Sequence, residues 1–176
     1  MVVFWHSDKP LYQKETAERI CAIFTELTKD ASHPDKAKQW FEAFIYIFNL
    51  HWDKVDNYRI DKYLMFVRLQ FHEVLAHLKT TSYPASTMDW LKGILKKLLM
   101  EESVISKGIP LQVCDIFLHE LNKADSSDIS YKNLSSLLEP FLFALGHSTN
   151  KIITQRIIEK VFTPLLENNV THHNDH

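Results

Sequence analysis

Histidine is the residue type in this 176-residue chain that most directly suggests chemistry, because ten imidazoles are available as metal ligands. His72-Glu73 is followed by His77, one residue later than the second histidine of a zinc-binding His-Glu-x-x-His helix. A spacing of five residues turns the two rings about 140° apart on a helix, so they cannot share a metal there. We interpret the tail from Thr171 to His176, which holds three more histidines, as flexible and solvated. No metal site and no cofactor are therefore expected.

The glycine and cysteine residues do not form the sequence motifs of common enzyme active sites. Gly93, Gly108 and Gly146 lie far apart, which excludes a glycine-rich dinucleotide loop, a P-loop and a Gly-x-Ser-x-Gly nucleophile elbow. Cys21 and Cys114 have no Cys-x-x-Cys neighbour and are interpreted as buried, reduced thiols. We therefore expect neither an enzyme nor a small-molecule substrate.

Basic residues suggest binding rather than catalysis. Lys92, Lys96 and Lys97 share one face of a predicted helix and could contact a phosphate or an acidic partner, although a solvated helix face is the alternative. The chain carries 20 basic and 22 acidic residues and a net charge of −2. Strong autonomous binding of nucleic acid needs a concentrated positive field, so only local contact with RNA is compatible with this balance. The sequence has no stretch of 18 uninterrupted apolar residues, so it predicts no membrane helix, and no membrane partner is expected.

The elements that must position these side chains are helices. Apolar residues recur with the helical period in seven segments, which predicts helices over 10–29, 35–52, 58–79, 86–100, 111–123, 131–145 and 150–167. Pro140 and Pro164 fall inside the last two and predict kinks or breaks there. Gly146 predicts the end of the sixth helix.

Short connections between these segments predict that consecutive helices pack antiparallel. The expected fold is all-α, a stack of about seven antiparallel helices of the armadillo or HEAT kind. It forms one helical domain over 1–170, followed by a flexible tail at 171–176. The apolar residues at 1–6 are interpreted as the last turn of a preceding helix, so the domain is expected to lack an N-terminal hairpin.

The segment from Trp52 to Arg68 carries a more specific pattern. A tryptophan is followed by a short acidic turn, then by Arg-x-Asp-Lys-aromatic and by Met-x-Val-Arg. This segment resembles the signature of the eukaryotic ribosomal RNA processing protein 1 family, and the residues that carry the resemblance are Trp52, Asp56, Arg59, Asp61, Lys62, Tyr63, Met65, Val67 and Arg68. Three further segments resemble family blocks in the same order along the chain. One precedes the signature, at 5–11 with Gln13 and Glu15, and two follow it, at 117–123 and 139–141.

The resemblance implies a non-enzymatic α-helical scaffold of the nucleolus and nucleus, needed for processing of large-subunit pre-rRNA. It implies binding to other ribosome assembly proteins and to the pre-ribosomal particle, with direct contact to rRNA left open. It also implies further helices ahead of the Asp-Lys-Pro-Leu segment and a basic C-terminal extension, which this sequence does not include. The alternative is a generic helical-repeat adaptor outside ribosome assembly. A small helical enzyme, the other rival, would need buried polar groups that converge in a pocket.

The charged residues of the signature allow two interpretations. In the first, Asp61 with Arg59 or Arg68 binds neighbouring helix ends and fixes the register of the hairpins. In the second, Arg59, Lys62 and Arg68 edge a patch for a partner protein or RNA. The candidate partner-binding residues are therefore Arg59, Lys62 and Arg68 together with Lys92 and Lys96.

Overall fold

A computed structural model describes residues 2–6, 9–100, 108–125 and 129–172 of the chain, and the side chains of 4–167 within those ranges. The α-helices are α1 (Val2–Trp5), α2 (Pro10–Thr28), α3 (Lys36–His51), α4 (Ile60–Thr80), α5 (Ala85–Met100), α6 (Gly108–Ala124), α7 (Tyr131–His147), α8 (Lys151–Ile157) and α9 (Thr163–His172). A 3-10 turn, Trp52–Lys54, follows α3, and a π-helical segment, Ile158–Phe162, joins α8 to α9. No strand occurs in the described ranges, which confirms the all-α prediction.

The even-numbered helices form one layer and run in the same direction. Successive residues of α2 contact successive residues of α4, as Cys21 does with the carbonyl of Phe66 and Thr25 with the carboxylate of Glu73. The same order holds between α4 and the α6 region, in the pairs Leu64 with Gln112, His72 with Glu120 and Lys79 with Asp125. The layer continues to α8, where Arg156 pairs with Asp115 of α6 at 2.9 Å.

The odd-numbered helices form the second layer. Trp90 of α5 donates to Glu42 of α3, and Lys92 and Lys96 of α5 pair with Glu139 of α7. Because the chain must return between successive helices of one layer, the two layers run antiparallel. The predicted stack of antiparallel helical hairpins is therefore confirmed.

Helix α4 supplies the centre of the core between the two layers. Nine of its residues are buried, and Phe66 shows how densely they pack. The ring of Phe66 lies 4.8–5.4 Å, centroid to centroid, from the rings of Phe4, Phe44 and Phe48. Most of these contacts are edge-to-face, the arrangement that aromatic quadrupoles favour. This aromatic cluster fastens α1 and α3 to α4.

Helix α7 corrects two expectations. It continues through Pro140 and past Gly146 to His147, so of the kink or break predicted at Pro140 the break does not occur, and the helix ends one residue later than predicted. Pro140 is buried beside Phe141, and burial in the core offsets the backbone hydrogen bond that proline removes. The end of α7 needs no left-handed glycine, because Ser148 N–H donates to the carbonyl of Ala144 and the His147 ring nitrogen binds the carbonyl of Phe143.

The distortion predicted near Pro164 is present. The π-helical segment Ile158–Phe162 ends two residues before this proline. Proline has no N–H to donate, and its ring crowds the carbonyl four residues back, so a widened turn relieves the clash. Residues 171 and 172 continue α9, while residues 173–176 of the predicted tail lie outside the described ranges.

The turn between α4 and α5 is tied to the end of α6. Ser82 and Tyr83 are left-handed, with φ of 61° and 55°, and Tyr83 N–H donates to the carbonyl of Leu78 at 2.7 Å. The Tyr83 hydroxyl donates to Asp125 at 2.6 Å, and Lys79 pairs with the other oxygen of this buried carboxylate. Burial and then the neighbouring Asp125 raise the pKa of Tyr83, so the phenol keeps its proton at neutral pH.

We expect Tyr83→Phe to lower the free energy of unfolding by about 1–2 kcal/mol, because it deletes a hydrogen bond to a buried carboxylate. Urea denaturation followed by circular dichroism measures the effect. The matched control is Tyr131→Phe, since the Tyr131 side chain is exposed and should leave the midpoint unchanged. Equal midpoints for both variants would contradict this role of Tyr83.

The signature residue Trp52 packs against the first residue of α6. A Cβ atom added to Gly108 would lie 1.8 Å from Nε1 of Trp52, which is far inside van der Waals contact. Trp52 is itself buried, so the indole has little room to move. Gly108 is therefore required for the close approach of Trp52 to α6.

Two alanine variants should have opposite effects on stability. Gly108→Ala is expected to lower the free energy of unfolding by about 1–3 kcal/mol through overpacking against Trp52. Gly93→Ala is expected to raise it by about 0.5–1 kcal/mol, because Gly93 is an exposed residue of α5 with open space at its Cβ position. Thermal unfolding of both variants gives the comparison, and a shift of the same sign in both would refute the account of Gly108.

Candidate partner-binding site

Lys62 lies inside the structure. Its side chain is buried, and its ammonium donates to the backbone carbonyl of Trp5 at 2.8 Å. The same ammonium lies 5.5 Å from the ring centroid of Phe4. The carbonyl of Trp5 belongs to the last turn of α1, where helix carbonyls have no partner within the helix and attract cations. Lys62 therefore holds the end of α1 on α4.

Arg59 contacts the same end of α1 as Lys62. The guanidinium lies 4.4 Å above the ring of Trp5, in a cation–π contact, and pairs with the carboxylate of Asp56. The backbone N–H of Arg59 also donates to Asp56 at 3.0 Å, which closes the turn that leads into α4. The first interpretation of the sequence had Asp61 binding a neighbouring helix end. In the structure Lys62 binds the end of α1, and Arg59 packs over the same segment.

Arg68 belongs to a group of basic residues around a buried acid. The carboxylate of Glu120 is 1% exposed, and Nε of Arg68 lies 3.7 Å from it. Nδ1 of His72 lies 3.1 Å from its other oxygen, without the angle of a hydrogen bond. Nδ1 of His119 completes the group at 2.9 Å. A carboxylate buried to this extent needs polar neighbours, and these three side chains supply them.

Arg68 also lines a groove between α4 and α6, which we call the Asp61–Arg68 groove. Its volume is about 210 Å³, and it is lined by Asp61, Leu64, Met65, Arg68, Gln112 and Ile116. The amide of Gln112 donates to the carbonyl of Leu64 at 3.3 Å and fixes the wall on the α6 side. Among the described residues Asp61 has no ion pair, and its side chain is exposed.

Lys92 and Lys96 lie in the other layer, and their charges are already paired. Both contact the carboxylate of Glu139, at 3.1 and 2.7 Å, and Lys92 also pairs with Asp89 at 2.9 Å. Lys96 and then Lys92 hold the pKa of Glu139 below its usual range. This predicted basic face is therefore a neutralised seam between α5 and α7.

Lys97 faces away from that seam. It lines a groove of about 470 Å³ between α3 and α5, together with Gln39, Glu42, Ala43, Ile45, Tyr46, Asn49, Ile94 and Leu98. The side-chain oxygen of Asn49 is inaccessible to solvent and has no hydrogen-bond partner. The two layers of the stack thus carry separate grooves.

The five candidate residues do not form one site. Arg59, Lys62 and Arg68 lie on or just before α4, whereas Lys92 and Lys96 lie on α5 in the other layer. Reasoning from sequence missed Glu120, although a signal was present. Glu120 shares the apolar stripe of α6 with Val113, Phe117 and Leu121, and a charged residue on a buried stripe indicates a paired charge. A partner-binding role for the five residues stays a prediction.

In the described ranges no cluster of three or more His, Cys, Asp or Glu residues could hold a metal ion. Burial raises the pKa of the Cys114 thiol to about 12 and that of Cys21 still higher, so neither is a reactive thiolate at neutral pH. No helix among the described residues has the length and hydropathy needed to cross a membrane.

Replacement of Lys62 separates a structural role from a binding role. Lys62→Met keeps the length of the side chain but loses the hydrogen bond to Trp5, so the free energy of unfolding should fall by about 1–3 kcal/mol. Lys97→Met is the matched control, because Lys97 is exposed on α5 and should tolerate the change. Chemical denaturation of both variants is the measurement. Unchanged stability in Lys62→Met would instead favour a role for Lys62 in binding a partner.

Comparison with known proteins identifies the family. The chain matches the family described as "Nucleolar protein, Nop52" over residues 2–176. It is 25% identical over 164 residues to human ribosomal RNA processing protein 1 homolog B, covering 93% of this chain and 21% of that protein. It is 28% identical to the Drosophila melanogaster homolog, over 78% of this chain and 20% of the relative, and 28% identical to the Dictyostelium discoideum homolog, over 92% and 36%.

The chain therefore spans about a fifth to a third of the length of these curated relatives. The matches run through the signature at Trp52 to Arg68 and through the helices on either side of it. These matches confirm the resemblance seen in the sequence. The chain belongs to the Nop52, or ribosomal RNA processing protein 1, family of nucleolar proteins.

Proposed function

We propose that this chain is a non-enzymatic binding scaffold in ribosome biogenesis, needed in the nucleolus for processing of large-subunit pre-rRNA. The observation that carries the proposal is the family match over residues 2–176, since the family is described as nucleolar. The relatives are named as ribosomal RNA processing proteins, which adds the processing of ribosomal RNA to the proposed role.

The architecture supports binding as the mechanism. A two-layer helical stack is held by contacts between neighbouring helices, and its grooves follow the helix axes. Among the described residues, grooves of this kind lie between α4 and α6 and between α3 and α5. Grooves of this kind suit peptide or helix segments of other proteins. The partners of this scaffold are therefore other assembly proteins, through which it joins the pre-ribosomal particle.

The charge distribution supports the same choice. Lys92 and Lys96, which lie one turn apart on α5, are neutralised by Glu139 together with Asp89. Proteins that bind RNA mainly through phosphates need several free cations on one surface. Contact with rRNA is accordingly local and secondary to protein contacts in this proposal.

A tagged form of the protein should sediment with particles that contain large-subunit precursor RNA. We expect co-migration on a sucrose gradient that survives moderate salt, because contacts with a protein partner release fewer counterions than contacts with a phosphate backbone. Probes for small-subunit precursor RNA and a strain that expresses the tag alone are the controls. Migration in light fractions alone, under conditions that keep other assembly factors bound, would refute the proposal and favour a helical-repeat adaptor outside ribosome assembly.

A further inference from the structure

The Asp61–Arg68 groove has an apolar floor and one charge of each sign. Every residue of α4 is described, and Asp61 and Arg68 are the only two before Thr80 that are exposed. Between them Leu64 and Met65 are half-buried, and Ile116 of α6 closes the floor. Asp61 and Arg68 are seven residues apart, so they are separated by about two turns, or about 10.5 Å along the helix.

The two charges of this groove are less completely paired than other charges between helices. Lys96 contacts Glu139 at 2.7 Å, and Arg156 makes two contacts of 2.9 and 3.0 Å with Asp115. Arg68, in contrast, approaches Glu120 no closer than 3.7 Å, and does so through Nε. Its terminal amino groups therefore keep their donors for a second carboxylate, which a guanidinium binds in a bidentate manner.

One polar wall of the groove is fixed before a partner binds, and the other is oriented by charge. The buried carboxylate of Glu120 lies 3.7 Å from Nε of Arg68, so it attracts the guanidinium without a hydrogen bond. On the α6 side the Gln112 amide is bonded to the carbonyl of Leu64, and the oxygen of that amide has no partner among the described residues. Side chains that are already ordered cost less entropy on association.

We propose that the Asp61–Arg68 groove binds an amphipathic helix of a partner protein that carries a basic and an acidic residue about two turns apart, with apolar residues between them. The basic residue pairs with Asp61, the acidic residue pairs with Arg68, and the apolar residues cover Leu64, Met65 and Ile116. The binding of a partner protein by this scaffold rests on the proposed function, and the groove specifies which surface and which kind of segment.

Charge complementarity is the reason to assign a protein helix rather than RNA. The carboxylate of Asp61 repels phosphates, and the residues that line the groove include one arginine and no lysine. A phosphate backbone would meet one cation and one anion along about 10 Å of groove, which yields little net attraction. A helix with charges of opposite sign satisfies both ends.

Charge reversal provides the first test. Arg68→Glu and Asp61→Lys are introduced separately into the tagged full chain, and the fraction that sediments with large-subunit precursor RNA is measured. Each reversal should lower that fraction about tenfold or more, because it places like charges against the partner. Arg19→Glu and Glu15→Lys, two exposed residues of α2, are the matched controls and should leave the fraction unchanged. Retention of both groove variants at the level of the controls would overturn the proposal.

A stability measurement accompanies the reversals. Asp61 is exposed and has no ion pair among the described residues, so Asp61→Lys should leave the unfolding midpoint close to that of the unchanged protein. Arg68→Glu places a second carboxylate near the buried Glu120 and should lower the midpoint. A variant that loses sedimentation and stability together is replaced by the milder Arg68→Gln or Asp61→Asn. These neutral variants should still lower the sedimenting fraction, and full retention by both would count against the groove.

Photocrosslinking identifies the occupant and works independently of the ribosomal role. A photoreactive amino acid in place of Met65 should yield an adduct that resists ribonuclease, is digested by protease and disappears in the Arg68→Glu background. Mass spectrometry of the adduct should locate a helical segment with a base and an acid about seven residues apart.

The remaining outcomes are also decisive. An adduct that ribonuclease removes, an adduct with a second copy of this chain, or an adduct that persists in Arg68→Glu would each overturn the proposal. If the unchanged protein fails to sediment with precursor RNA but still gives the charge-dependent protein adduct, the groove proposal stands and the ribosomal function is refuted.

Discussion

The architecture depends on the burial of α4 on both sides. This helix contacts α2 and α6 within its own layer, while the aromatic cluster around Phe66 joins it to α1 and α3. Each polar side chain of a helix buried in this way needs a hydrogen-bond partner if it enters the core. Lys62 meets this requirement at the end of α1, where it pairs with the carbonyl of Trp5.

The same constraint explains why the family signature contains residues of two kinds. Lys62, Tyr63 and Val67 are buried and hold the N-terminal segment and the core together. Asp61 and Arg68 are exposed and line a groove. One helix thus stabilises the stack with one face and lines a groove with the other. In our proposal the residues that bind a partner are positioned by a helix that has nine buried residues.

Charge pairing across the stack also determines where binding can occur. Glu139 pairs with Lys92 and Lys96, and Asp125 pairs with Lys79 while it accepts from Tyr83. These pairs connect neighbouring helices of one layer and fix their relative positions. On α4 the charges left exposed before Thr80 are those of Asp61 and Arg68, so in our proposal specificity comes from groove shape together with these two ions.

The sequence by itself determined the helical class, the approximate bounds of the long helices and the family, because helical periodicity and the spacing within Trp52 to Arg68 are local properties of the chain. Tertiary structure decided which charged residues are free. Lys62 finds its partner 57 residues away, and Lys92 and Lys96 find Glu139 at separations of 47 and 43. It also decided that α7 continues through Pro140, since burial in the core outweighs one lost backbone hydrogen bond. No local pattern reports such contacts, because they exist only once the layers have packed.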